Sequence, residues 1–166
     1  MSGCRRGSRA RKHAIARILE TAPGIGPIRA ARLVPIVVTP HRFRTKRQFW
    51  SYCGLAIVTR SSSDWVRTAE GDWVQGRVAQ TRGLSRQYNR VLKDIFKGAA
   101  TTVITQRNKD PIYADYGRLL ASGTKPTLAK VTLARSIAAI VLGMWKNEEM
   151  YQPERYRKPA EADRDA

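Results

Sequence analysis

At 166 residues and 42% hydrophobic content, the chain can bury one compact core or two small ones. Its 31 Lys and Arg against 13 Asp and Glu give a formal charge of +18, which opposes self-association without a polyanion and attracts nucleic acid through counterion release. No unbroken apolar run approaches the roughly 18–20 residues of a membrane span, and no basic amphipathic helix is left unemployed, so no membrane partner is expected.

Residues 1–12 read as a basic arm, disordered when free. No apolar signal core follows it, so the expected compartment is a reducing cytoplasm. The two cysteines, Cys4 and Cys53, form neither a disulfide framework nor a metal-ligand spacing; Cys53 reads as a core residue. No metal site is expected in this chain.

"HAIARILETA" predicts a short helix with Ile15, Ile18 and Leu19 on one side. "PGIGP" breaks it, and "IRAARLVPIV" predicts a second helix with Pro27 in its first turn. A third runs from Thr45 to about Cys53. Next, Asp64-Trp65-Val66 and Asp72-Trp73-Val74 flank "RTAEG", which predicts a β-hairpin. From Gly83 to about Thr105 the helical period returns, with Leu84, Tyr88, Val91, Leu92, Ile95, Ala99 and Val103 on one face. The strongest helix signal is "GTKPTLAKVTLARSIAAIVLGMWK", capped by Thr124, started by Pro126 and apolar nearly all round from Leu128 to Trp145. It is expected to be the central buried helix. Beyond Lys146 the composition predicts a frayed polar tail.

Three constellations could carry chemistry. In "TAPGIGPIRAARL", Gly24, Ile25 and Gly26 form a turn opening on a helix N-terminus, where backbone N–H groups and the helix dipole suit a phosphate. The pattern resembles a helix-hairpin-helix grip on DNA, with Arg29 in the following helix; the plain alternative is an ordinary αα-turn. Arg86, Arg90, Lys93 and Lys97 form a basic stripe balanced only by Asp94, which suits backbone contact rather than base readout; otherwise it is a solvated face. The third is Ser61, Ser62 and Ser63, with Arg60, Arg67 and Arg77 able to neutralise a phosphodiester. A serine needs a base and charge stabilisation to become a nucleophile, and no histidine lies near in sequence. A polar loop bonded to its own backbone is the alternative.

In chain order, "ETAPGIGPIRAARLV", "FRTKRQFWSYCGLAIVTRSSS", "QTRG", "FKGAATTVI" and "GTKPTLAKVTLARSIAAIVLGMW" resemble the C-terminal domain of the insertion-sequence one-ten/one-sixteen transposases, over roughly residues 13–155. The resemblance implies a DNA recombinase acting by strand exchange, in some members guided by a structured RNA. It implies a catalytic serine that attacks a DNA phosphodiester, and aligning from Gly54-Leu55 puts it on Ser62, with Ser61 and Ser63 as alternates. It also implies a partner RuvC-like N-terminal domain whose carboxylates hold the divalent metal, and a homo-oligomer when complete. Ile57 and Ser63 depart from the proline and glycine common in the family.

The expected fold class is mainly α, a helix-hairpin-helix-like element plus a helical domain with a small β-hairpin insertion. The expected organisation is the arm at residues 1–12, the transposase-like domain at 13–146 and a tail at 147–166. Within the domain lie the hairpin-helix part (about 13–40), the serine loop and β-hairpin (about 54–76) and the helical part (about 83–146). Residues 1–12 cannot encode the carboxylate domain, so a truncated transposase with an incomplete active site and no cofactor of its own is expected. The competing expectation is a non-catalytic module or relic that binds DNA or RNA backbone; a basic structural RNA-binding protein would explain the charge but not the serines.

Overall fold

Ile15 and Leu19, one helical turn apart, are both buried on the first helix, α1 (residues 14–20). The computed structural model describes residues 14–61, 65–67, 69, 71–75, 79–84, 86–106 and 111–156. The expected basic arm lies outside these residues. After a turn at residues 21–26 comes α2, Pro27–Val37, with Pro27 in the first turn, where its missing N–H costs nothing. α2 ends abruptly. Val38 has φ 62°, and the Thr39 N–H reaches back to the Val37 carbonyl at 2.7 Å, forming a γ-turn that a β-branched residue adopts only under strain.

One turn of 3-10 helix, Pro40–Arg42, leads to α3, Lys46–Tyr52, with Thr45 and Cys53 as its caps. The Thr45 hydroxyl accepts the Gln48 N–H at 3.4 Å, and the Gln48 side chain accepts the Arg44 N–H at 2.8 Å. This is the reciprocal logic of a capping box, reaching one residue further back.

The expected β-hairpin is present, nested inside a longer ribbon. β1, Ile57–Ser61, pairs antiparallel with β4, Ala79–Leu84, with Thr59 opposite Thr81 and Ser61 opposite Ala79. Between them β2, Trp65–Arg67, pairs with β3, Trp73–Gln75, with Arg67 opposite Trp73. The part of the expected serine loop from Ile57 through Ser61 is therefore a strand.

The helix expected from Gly83 starts later. Gly83 (φ 73°) and Leu84 belong to β4, and α4 spans Arg90–Gln106. Asn89 decides this boundary, because its side chain accepts the Leu92 N–H at 3.1 Å and competes with helical pairing upstream. Leu84 and Tyr88 thus leave the expected apolar face, which Leu92, Ile95, Phe96, Ala99, Ala100 and Val103 bury. A helix that the sequence pattern does not announce, α5, Pro111–Ala121, follows.

α6, Pro126–Asn147, is the centre of the core, as expected, and packs against α3, α4 and α5. Its N-cap is Lys125 rather than Thr124, whose hydroxyl lies 3.4 Å from that of Ser122. By length and composition α6 could cross a membrane, but here Leu133, Ile137, Val141 and Trp145 are buried in the protein's own core. Beyond it the chain does not simply fray. The Tyr151 N–H donates to the Thr21 hydroxyl at 3.0 Å, Arg155 pairs with Glu149, and α7, Pro153–Tyr156, ends the described region. The fold is mainly α.

Candidate nucleic-acid interface and serine strand

The glycine turn divides into packed and open parts. Gly24 has φ 70°, and a Cβ there would sit 2.4 Å from the Ala99 carbonyl oxygen on α4. Arg29, half-buried, donates to the Gly24 carbonyl at 2.6 Å and to the Thr102 hydroxyl at 3.1 Å. Ile25 is a core residue whose N–H bonds the Ala22 carbonyl at 3.0 Å. Gly24 and Arg29 dock the turn on α4, and Ile25 closes it into the core. Gly26 differs: it caps α2 with φ −86°, no side-chain cap bond forms there, and a Cβ added to it would meet nothing within 4 Å. The open backbone at the start of α2 is the part a phosphate could approach.

The serine strand departs from a joint held on two sides. Gly54, at φ 68°, packs so closely on Tyr88 that a Cβ would meet the ring at 2.4 Å. The neighbouring Leu55 carbonyl accepts from Nε of Arg135 on α6, while Trp50 Nε1 donates to the Arg135 carbonyl at 3.0 Å. Partial burial lowers the affinity of the Arg135 guanidinium for its proton. β1 thus starts from a point fixed to the central helix. The backbone of Arg60 pairs with Gln80 and that of Ser61 with Ala79. Ser62, Ser63 and Arg77 lie outside the described residues. Arg67 is exposed and donates from Nε to the Gly71 carbonyl at 3.3 Å, closing the inner hairpin.

Of the basic stripe, Arg90, Lys93 and Lys97 share α4, while Arg86 sits before it on an irregular turn; Arg86, Arg90 and Lys97 are exposed. Lys93 Nζ lies 4.0 Å from the centroid of the Tyr88 ring. Asp94 follows Arg90 by one helical turn and partly offsets the charge of this face.

Two features are not singled out by the sequence patterns above. One is Arg135, the one arginine of α6, half-buried on a helix that also carries Lys130 and Lys146, so that no local charge pattern sets it apart. The other is the exposed group Arg42, Arg44, Lys46 and Arg47. Its signal is the absence of any Asp or Glu between Glu20 and Asp64. Among the described residues no three His, Cys, Asp or Glu side chains converge.

Residues 16–73, the segment holding the glycine turn, the α3 corner and the serines, match the transposase family IS116/IS110/IS902. The "Insertion element IS116 uncharacterized 44.8 kDa protein" of Streptomyces clavuligerus is 27% identical over 138 residues, covering 83% of this chain. The chain spans 31% of that relative's length. The resemblance carried by the sequence motifs is borne out as a similarity to this transposase family.

Proposed function

We propose, from the likeness of residues 16–73 to insertion-element transposases, that this chain is the serine-presenting, DNA-gripping part of an enzyme that moves such an element by strand exchange. The observation that carries the reading is the anchored joint at Leu55: Arg135 and Trp50 tie the start of β1 to the central helix just ahead of the serines. A nucleophile must be held against its target to gain from proximity, and a chain anchored this close ahead of the serines favours such holding.

In this reading the Ser62 oxygen bonds to phosphorus and one P–O ester bond breaks. The departing oxygen leaves as a hydroxyl, its proton balancing the one lost by the serine. Arg60, Arg67 and Arg77 neutralise the phosphate during transfer. Gly26 at the start of α2, with Arg86, Arg90, Lys93 and Lys97, grips backbone. Gly24, Ile25 and Arg29 keep the turn in shape. The described residues do not fit a metal, so no step here runs through one. The divalent ion belongs to a RuvC-like carboxylate domain acting with this chain, in the cytoplasm and within a homo-oligomer; a structured guide RNA is a further partner of the same surface.

The test is covalent capture. The chain is incubated with DNA carrying the ends of a related element and with a carboxylate domain of the same family. A protein–DNA adduct resistant to denaturant is expected, lost in Ser62→Ala and retained in Ser61→Ala and Ser63→Ala. An adduct lost only with Ser61 or Ser63 moves the nucleophile by one residue. Salt-sensitive binding with no adduct in any combination supports instead a non-catalytic binding module, which the exposed cations alone would explain.

A further inference from the structure

We propose that Arg42, Arg44, Lys46 and Arg47 extend the α4 stripe into one phosphate-binding track that brings a nucleic-acid backbone to the start of β1. The inference rests on the reading of the chain as a DNA-gripping transposase part, and it adds a surface that the family likeness does not assign.

Three observations carry it. All four cations are exposed, and no acid lies within their stretch of chain from Thr21 to Ser63. Like charges so close repel one another, and a polyanion relieves that repulsion.

Second, two of the four are held by rings. The Arg42 guanidinium carbon lies 4.9 Å from the Tyr52 ring centroid and 5.1 Å from that of Phe43, and Lys46 Nζ lies 5.7 Å from the Trp50 ring. The rings themselves are fixed by packing, with Phe43 and Phe49 centroids 5.0 Å apart and Phe49 and Phe96 5.7 Å apart. Cations stacked in this way lose less freedom when they meet a phosphate.

Third, the two basic segments meet at one joint. The Tyr52 carbonyl accepts the Asn89 N–H at 3.0 Å, and Asn89 caps α4. Lys93 lies over Tyr88, whose ring packs on Gly54. Arg42, Tyr52, Asn89, Tyr88 and Lys93 therefore follow one another across the surface, and Leu55, where β1 is anchored, adjoins Gly54 in the same turn. Arg90 and Lys93 also stand in the first turn of α4, where the helix dipole disfavours cations. A fold that concentrates positive charge against its own dipole is suited to an anionic partner.

Phosphodiester backbone is common to DNA and RNA, so the experiment uses a DNA duplex and an RNA duplex of one arbitrary sequence. Affinity is followed against salt for the full chain and for Arg42→Gln/Lys46→Gln and Arg44→Gln/Arg47→Gln. Arg118→Gln/Arg155→Gln removes the same charge from ion-paired sites elsewhere. Each track variant is expected to reduce the steepness of the log–log salt dependence by roughly 1.5–2, about one counterion per lost contact. The control is expected to leave it unchanged. A reduction on either duplex supports the track, and the duplex showing the larger one identifies the strand it carries. Track variants that match the control on both duplexes overturn the proposal. Thermal unfolding of each variant separates lost contacts from lost folding, and strand exchange is not needed, so the result stands or falls apart from Ser62.

Discussion

The Nε–H of Arg135, in the middle of the central helix, donates to the carbonyl of Leu55, at the turn from which the serine strand departs. Arg135→Met keeps the length and apolar stem of the side chain but leaves that carbonyl without its donor. The expected loss is about 1–3 kcal/mol in urea unfolding. Amide exchange along Ile57–Ser61 should accelerate more than exchange in α4. Unchanged protection of that strand would show that Trp50 and the Gly54–Tyr88 packing hold the joint without it.

Gly24 and Gly26 should separate cleanly by mutation. Gly24→Ala must place a methyl against the Ala99 carbonyl at a positive φ, and about 2–4 kcal/mol of stability should be lost. Gly26→Ala enters open space at an ordinary φ, so less than about 1 kcal/mol is expected, the cost of a poorer N-cap. Denaturation of the two variants in parallel decides whether the turn is docked as described. Equal losses would contradict it.

Cys53 is fully buried, and burial pushes its thiol well above the ordinary range. In a Cys4→Ser background the folded protein should react with a thiol reagent at least about 10-fold more slowly than the unfolded chain. The pH dependence follows from the same shift. The thiol's contribution to stability is fully present below the unfolded pKa of about 8.5 and is lost as pH rises from there toward the folded value, because only the unfolded chain ionises in that window. Stability should fall with alkaline pH by up to about 1.4 kcal/mol per unit from this group, and Cys53→Ala should remove that part of the slope.

Val38 ends α2 at φ 62° with its side chain 61% exposed, so little packing offsets the strain. Val38→Gly should relieve about 1–3 kcal/mol of backbone strain while adding about 1 kcal/mol of unfolded-state entropy. A rise in Tm of about 2–4 °C is the expected net result. A fall would mean that this γ-turn is not the strained element it resembles.

Much of the architecture was legible from local chemistry. Pro27 and Pro126 mark the first turns of α2 and α6. The paired Asp-Trp-Val segments announce β2 and β3, and the apolar run to Trp145 announces the core helix. Elsewhere local signals misled or were silent. Leu84 and Tyr88 fit a helical spacing by coincidence, whereas Gly83 and Asn89 set the real boundary. α5 buries only Ile112 among its fully buried residues, so its pattern was too weak to read.

By itself, then, the sequence determined the positive charge, most helices and the inner hairpin, together with the motifs of an insertion-element transposase. Each depends on residues within a few positions of one another or on composition alone. Tertiary structure decided which of those residues meet. Arg135 reaches Leu55 across 80 positions and Trp50 reaches Arg135 across 85, and no local propensity encodes such pairings. They arise because α6 must be covered on several sides, and the elements that cover it bring α3, α4 and the root of the serine strand to one joint. The same packing turned Arg29 inward to brace a turn and left Arg42 and Lys46 facing solvent over their rings.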